Sequence, residues 1–262
     1  MNSEIFFKNM KVVILSGGTG SRLGHLTTKI PKPMVEIGNF PILWHIINIY
    51  ASQGIREFVI ALGYKSEIIK KFFHSKEIFE KNKKNKNILK CKSLKGKILK
   101  INLVETGLKT MTGGRLLRLK NYLKEDSFML TYGDGLGNVN ILKLLKFHKK
   151  NKKIVTITGV HPAARFGELD ISRGVVKSFK EKPQVTKGWI NGGFFVMDPK
   201  IFNYLKDDNT VLEGIPLEKL AFKKQLMAYL HKGFWHCMDT VRDKNSLEEI
   251  WRNKKNAPWK IW

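Results

Sequence analysis

The chain has 262 residues, 42% of them hydrophobic, which suits one sizeable domain with a real core. No apolar run approaches the roughly 18–20 residues needed to cross a bilayer, and two cysteines, Cys91 and Cys237, make neither a disulfide framework nor a cysteine-rich metal site, so a reducing cytoplasm is the expected setting. The net charge of +26 would ordinarily suggest nucleic acid or a membrane surface, but only eight of the 48 basic residues are arginine, the residue whose planar fork best grips phosphate and guanine, so neither partner is expected.

In chain order, Met10–Ser16 reads as a short buried strand that runs straight into glycines, too short and wrongly followed to be a signal peptide. Phe40–Gln53 has a helical face of Trp44, Ile47 and Tyr50 and is closed by Gly54. Glu57–Leu62 is a strand, Ser66–Phe73 a helix and Ile98–Val104 an alternating strand. Between the last two, Lys81–Lys97 is dense in lysine and reads as a solvated loop or hairpin, with a nucleic-acid or membrane patch as the other reading. Thr112–Tyr122 is a helix, Ser127–Tyr132 a buried strand, Asn140–Lys150 a helix and Ile154–Val160 a strand. This alternation predicts an α/β, doubly wound, mostly parallel mixed sheet. Gly167–Ile171, Val175–Phe179 and Gly192–Met197 add a small antiparallel region, and Glu213–Lys223 and Asp243–Trp251 close the chain as helices.

Three clusters carry chemistry. Gly17-Gly18-Thr19-Gly20-Ser21-Arg22-Leu23 follows the first strand directly, and successive backbone N–H groups in such a loop cradle anions. It lacks the Gly-Lys-Ser/Thr ending of a Walker loop and the glycine spacing of a dinucleotide fingerprint. Ten residues after Arg22, Lys32 stands between Pro31 and Pro33, a cation held by fixed backbone, and the pair suits a triphosphate. Tyr132-Gly133-Asp134-Gly135 ends a buried strand, where ligands of parallel sheets bind, and an aspartate there suits Mg²⁺. Asp239, in Cys237-Met238-Asp239-Thr240, is a second metal candidate or a helix cap. Glu181 and Lys182, before Pro183, and Asn191-Gly192 form a third group suited to a sugar phosphate, although Glu-Lys-Pro alone is an ordinary turn.

Together with Pro41-Ile42-Leu43-Trp44-His45, these motifs resemble, in order, those of the sugar-phosphate nucleotidyltransferases. The Met111-Thr112-Gly113-Gly114-Arg115 run, Phe166–Ile171, Gln225–Tyr229 and the tail Ala257–Trp262 are similar to those of the members that join CTP to glucose 1-phosphate. Ser21 stands where the family usually has threonine, and Ser66–Ile98 matches only in general pattern. The resemblance implies a single domain over residues 10–262 after an extension of residues 1–9. Residues 10–150 would mainly bind the nucleotide, and residues 151–262 the sugar phosphate. It implies CTP and glucose 1-phosphate as substrates, Mg²⁺ on Asp134 and Asp239, and a homo-oligomer. Arg22, Lys32, Asp134 and Lys182 would be catalytic; the loop Gly17–Arg22 with Thr112, Gly113, Gly114 and Arg115 would hold the nucleotide; Tyr132, Glu181, Lys182, Asn191 and Gly192 would hold the sugar phosphate. Whether Arg115 faces CTP or a neighbouring subunit is left open.

Overall fold

The structure is a computed structural model that describes residues 7, 9–75, 79–80, 88–162, 168–172, 175–180, 188–253 and 257–262. Its strands are β1 Lys11–Leu15, β2 Glu36–Ile37, β3 Phe40–Pro41, β4 Glu57–Leu62, β5 Phe79–Glu80, β6 Ile88–Lys92, β7 Ile98–Glu105, β8 Phe128–Tyr132, β9 Gly135–Gly137, β10 Val155–Val160, β11 Glu168–Ser172, β12 Val175–Lys180, β13 Ile190–Met197, β14 Leu226–His231 and β15 Trp235–Cys237. Nine of them form one sheet in the order β14-β10-β13-β8-β1-β4-β7-β6-β5. At its centre β8, β1, β4 and β7 run parallel, and β13 enters antiparallel between β8 and β10.

The sequence of β1 explains its place. Val12-Val13-Ile14-Leu15 is apolar on both faces, as a strand covered on both sides must be. Val12 and Ile14 join the core under the helix Ile42–Ser52, which is buried from Ile42 to Ala51; Val13 and Leu15 join a second core under Leu116, Leu119, Ile201 and Leu220. Both cores meet at the sheet, so the carboxyl ends of β1, β4 and β8 open at one edge, where ligands of such sheets bind.

Several expectations shift. The helix predicted from Phe40 begins at Ile42, because Phe40–Pro41 pairs with Glu36–Ile37. The helix predicted over Thr112–Tyr122 breaks at Leu119, whose N–H turns back to the Leu116 carbonyl, giving Thr112–Arg118 and Lys120–Leu123. Gln225–Tyr229, read only as a motif, overlaps an edge strand, Leu226–His231, that runs parallel to β10. The part of the lysine-rich stretch that is described is a hairpin: β6 pairs antiparallel with β7 through a turn closed by Gly96 N–H to the Ser93 carbonyl. Leu89 and Cys91 point inward while Lys90 and Lys92 face solvent. Among the described residues no helix is long and apolar enough to cross a membrane.

Candidate active site

Two carboxylates distant in sequence meet because two short strands pair. β15 runs antiparallel to β9 with Cys237 opposite Gly135, and the Met238 N–H donates to the Asp134 carbonyl at 2.9 Å. That register sets Asp239 beside Asp134. Thr240, not Asp239, caps the following helix: Asp243 accepts from the Thr240 N–H and hydroxyl, and the Thr240 hydroxyl accepts from the Asp243 N–H. The Asp239 carboxylate is thereby left to face the cleft.

Lys32 fills the space between the two acids. Its Nζ donates to Asp134 Oδ2 at 2.6 Å and to Asp239 Oδ1 at 2.6 Å. Its side chain is 11% exposed, held by a 3-10 turn over Lys32–Met34 that starts from Pro31. Burial is the largest influence on it and opposes its charge. The attraction of Asp134 and the hydrogen bonds the ammonium donates to both acids outweigh that, and its pKa rises above the ordinary lysine value. Arg22 donates to the other oxygen of Asp239 at 2.9 Å, yet 72% of its side chain is exposed, so this pair is weak and its guanidinium can swing to a ligand.

The glycine loop is shaped by what lies beneath it. Gly20 sits at φ +66, and a Cβ there would come within 2.8 Å of Lys32 Cβ. The 3-10 turn Ser21–Leu23 then buries Leu23 and leaves Arg22 outward. Under Gly17 lies Arg115, 4% exposed. Its guanidinium donates to the carbonyls of Leu62, Gly107, Gly17 and Leu108 and to the Thr106 hydroxyl, at 2.7–3.2 Å. Burial, followed by neighbouring Arg118, lowers its pKa from the ordinary arginine value. Arg115 therefore pins the loop from below with a buried positive charge, its donors taken up by four backbone carbonyls and one hydroxyl.

Two of the residues expected to hold the sugar phosphate, Tyr132 and Asn191, meet each other. Tyr132 donates its hydroxyl to Glu213 Oε1, and Asn191 Nδ2 donates to that hydroxyl oxygen at 3.2 Å. Asn191 Oδ1 accepts from the Gly193 N–H, and the Gly192 carbonyl accepts from the Trp235 indole N–H, both at 2.8 Å.

These groups surround one open cavity of about 590 Å³, within the usual range for small-molecule sites. Gly17, Gly18, Gly20, Arg22, Lys32, Thr112, Arg115, Tyr132, Asp134, Asn191, Gly192 and Asp239 all line it. Thr19 and Ser21 belong to the loop without lining the cavity. Gly113 and Gly114 turn away from it: both N–H groups donate to the Thr210 carbonyl, and a Cβ on Gly114 would lie 2.4 Å from the Asp208 carbonyl oxygen. Their small size serves packing against the 208–210 segment. Glu181 and Lys182 lie outside the described residues.

Two residues of the site carry no sequence motif. Cys237 Sγ joins Asp134 and Asp239 in a group whose ligand atoms lie within 4.8 Å of one another. Burial first, and Asp134 next, push its thiol pKa up, so it stays protonated. Its signal was its position two residues before Asp239. Glu213 had no signal beyond opening a predicted helix. The two carboxylates fit a hard divalent cation, since they are oxygen donors already gathered around a positive charge. The protonated thiol does not add to that fit.

Residues 11–243 match the family described as Nucleotidyl transferase. The chain is 45% identical over 259 residues to a glucose-1-phosphate cytidylyltransferase of Salmonella typhi, covering 97% of this chain and 100% of that one. It is equally similar, with the same coverage, to the glucose-1-phosphate cytidylyltransferase of Salmonella typhimurium. In fold it is similar to a solved UDP-glucose pyrophosphorylase complexed with UDP-glucose, with a TM-score of 0.70 at 19% identity, covering 94% of this chain and 99% of that chain. A parallel sheet opening onto a glycine loop, a held lysine and paired aspartates agrees with these likenesses, and the chain belongs to the nucleotidyl transferase family.

Proposed function

We propose that this protein transfers a cytidylyl group from CTP to α-D-glucose 1-phosphate, giving CDP-glucose and pyrophosphate. CDP-glucose would serve deoxysugar and cell-surface polysaccharide synthesis, and the reaction would run in the cytoplasm. The observation that carries the reading is the Asp134–Lys32–Asp239 arrangement at the mouth of a glycine loop, in a chain 45% identical to glucose-1-phosphate cytidylyltransferases.

The chemistry needs no general base. The sugar phosphate is anionic at neutral pH, and one of its oxygens attacks the α-phosphorus of CTP in line. A new P–O bond forms there, the bond from the α-phosphorus to the α–β bridging oxygen breaks, and pyrophosphate leaves with the electron pair. Catalysis reduces to positioning and charge neutralisation. Asp134 and Asp239 would hold Mg²⁺, which when bound neutralises phosphate charge. The N–H groups from Gly18 to Ser21, with Arg22, would bind the leaving pyrophosphate. Lys32 would exchange its carboxylate partners for phosphate oxygens. Thr112 would border the nucleotide, with Arg115 fixing the loop from beneath. Tyr132, Glu181, Asn191 and Gly192 would receive the sugar, and Lys182 would grip its phosphate. Residues 10–150 would thus be chiefly the nucleotide half and residues 151–262 the sugar half, in a homo-oligomer.

The test is direct. Purified protein with CTP, glucose 1-phosphate and Mg²⁺ should release pyrophosphate and CDP-glucose in equal amounts. Release with UTP or dTTP but not CTP would assign it to a sister activity, and the absence of release with every nucleotide tested would leave a binding protein. Lys182→Ala should raise KM for glucose 1-phosphate about ten- to a hundredfold while KM for CTP moves little.

A further inference from the structure

Glu213 stands outside the cavity lining, yet it touches both walls. Its Oε2 accepts from the Thr112 hydroxyl at 2.6 Å, and its Oε1 accepts from the Tyr132 hydroxyl. Thr112 opens the helix on the glycine-loop side, while Tyr132 ends β8 on the side of Asn191. One carboxylate therefore spans residues 101 positions upstream and 81 positions upstream in the chain.

An ionised carboxylate only accepts hydrogen bonds. Each hydroxyl that meets it must spend its single proton there, and the direction of every further bond follows. Thr112 Oγ1 becomes an acceptor and takes the Leu212 N–H at 2.9 Å. The Tyr132 oxygen also becomes an acceptor, so its other partner must donate. That partner is Asn191 Nδ2. With its nitrogen toward Tyr132, Asn191 turns its Oδ1 to the Gly193 N–H. The amide has two chemically different ends, and this chain of bonds decides which end is which.

We infer that Glu213 is a positioning residue: through Tyr132 it fixes the orientation of the Asn191 amide, so that the second N–H of Nδ2 is presented to a sugar hydroxyl acting as acceptor. This rests on the reading of the site as a sugar 1-phosphate nucleotidyltransferase. Glu213 itself touches no reacting atom. Its removal would free the Tyr132 hydroxyl to donate elsewhere and leave the Gly193 N–H alone to hold the Asn191 amide, so the amide donor would be presented to the sugar less firmly.

The experiment is a double-mutant cycle on steady-state kinetics with CTP and glucose 1-phosphate. Glu213→Gln presents one N–H₂ end and breaks the acceptor-only rule; it should raise KM for glucose 1-phosphate about tenfold, with a smaller fall in kcat. Tyr132→Phe removes the relay. In that background Glu213→Gln should change the sugar KM by less than about twofold, because its path is already cut. A purely structural role would give the same fold-change in both backgrounds, and that result would overturn the inference, as would an unchanged sugar KM in the single variant. Should Glu213→Gln fold poorly, Glu213→Asp keeps the charge but is too short to span both hydroxyls, and it is measured and judged in the same way. Wild-type protein without turnover would sink the assignment of the reaction. Wild-type turnover with no coupling between positions 213 and 132 would sink this inference alone.

Discussion

The ammonium of Lys32 lies 2.6 Å from Oδ2 of Asp134, across 102 residues of chain and at the carboxyl edge of the sheet. The lysine neutralises the acids that are proposed to take up Mg²⁺, and the acids keep the lysine charged. Substrate binding would then trade one set of partners for another rather than expose bare charges to the interior.

Asp134→Asn is expected to lower kcat at least about a hundredfold, roughly 3 kcal/mol of barrier, while the protein still folds. Folding should survive because Lys32 keeps Asp239 at 2.6 Å. Turnover at saturating Mg²⁺ together with circular dichroism separates the two effects. Near-normal kcat would remove Asp134 from the metal site.

Arg115→Met should both destabilise the fold and weaken CTP binding. The substitution takes the guanidinium donor from the Gly107 and Leu108 carbonyls and one donor from those of Leu62 and Gly17, which keep the Thr106 and Tyr64 N–H groups, at a cost of about 2–4 kcal/mol for several linked contacts. Gly17→Ala should mimic it, since a Cβ there would lie 2.1 Å from Arg115 Nη1. Urea unfolding and KM for CTP provide the measurements. Stability within about 0.5 kcal/mol of wild type would show that Arg115 does not brace the loop.

His45 makes stability depend on pH. It is fully buried, its Nε2 lies 2.9 Å from the Ile37 carbonyl, and its Nδ1 accepts from the Trp259 indole N–H at 3.4 Å, an arrangement that requires neutral imidazole. Burial lowers its pKa from 6.5 to about 4. Between those values the unfolded chain binds a proton that the folded chain refuses, so stability is full above pH 6.5 and declines as pH falls toward 4. The loss is on the order of 3 kcal/mol. Thermal melts of wild type and His45→Gln from pH 7.5 to 4.5 should diverge in slope, the variant being less sensitive. Parallel slopes would mean that His45 is not the group refusing the proton.

Replacing Lys90, Lys92, Lys95 and Lys97 by glutamine should leave turnover within about twofold, because all four sit on the exposed side of the hairpin. Salt-sensitive DNA binding by wild type that the variant loses would revive the nucleic-acid reading of this stretch.

Much of this was legible in the sequence because it is local. Strands such as Glu57–Leu62 announce themselves by unbroken apolar runs, and the glycine loop and Pro31-Lys32-Pro33 carry their own backbone constraints. What the sequence did not reveal is relational. The pairing of Asp239 with Asp134 was expected from the resemblance alone; the register of Cys237 opposite Gly135 that brings them together is encoded by no spacing rule. Arg115 was expected from the resemblance to face CTP or a neighbouring subunit, and its five partners, Gly17, Leu62 and residues 106–108, come together only in the fold. Gly113 and Gly114 were expected to help hold the nucleotide, and in the fold their lack of side chains admits the backbone of Asp208 and Thr210. Leu226–His231 escaped notice because an edge strand with only partly buried side chains lacks a clear hydrophobic period.

The central claim is that the cleft selects CTP and a sugar 1-phosphate together. Its most direct measurement is kcat/KM for pyrophosphate release with CTP, UTP, dTTP, ATP and GTP, each against glucose 1-phosphate, mannose 1-phosphate and galactose 1-phosphate at fixed Mg²⁺. A site whose buried polar groups match one base rejects a mismatched one by about 10⁴-fold when hydrogen bonds are left unpaired. The account predicts CTP with glucose 1-phosphate as the best pair by at least about a hundredfold over every other nucleotide. Equal or better kcat/KM with UTP or dTTP, in protein shown to be folded, would contradict it.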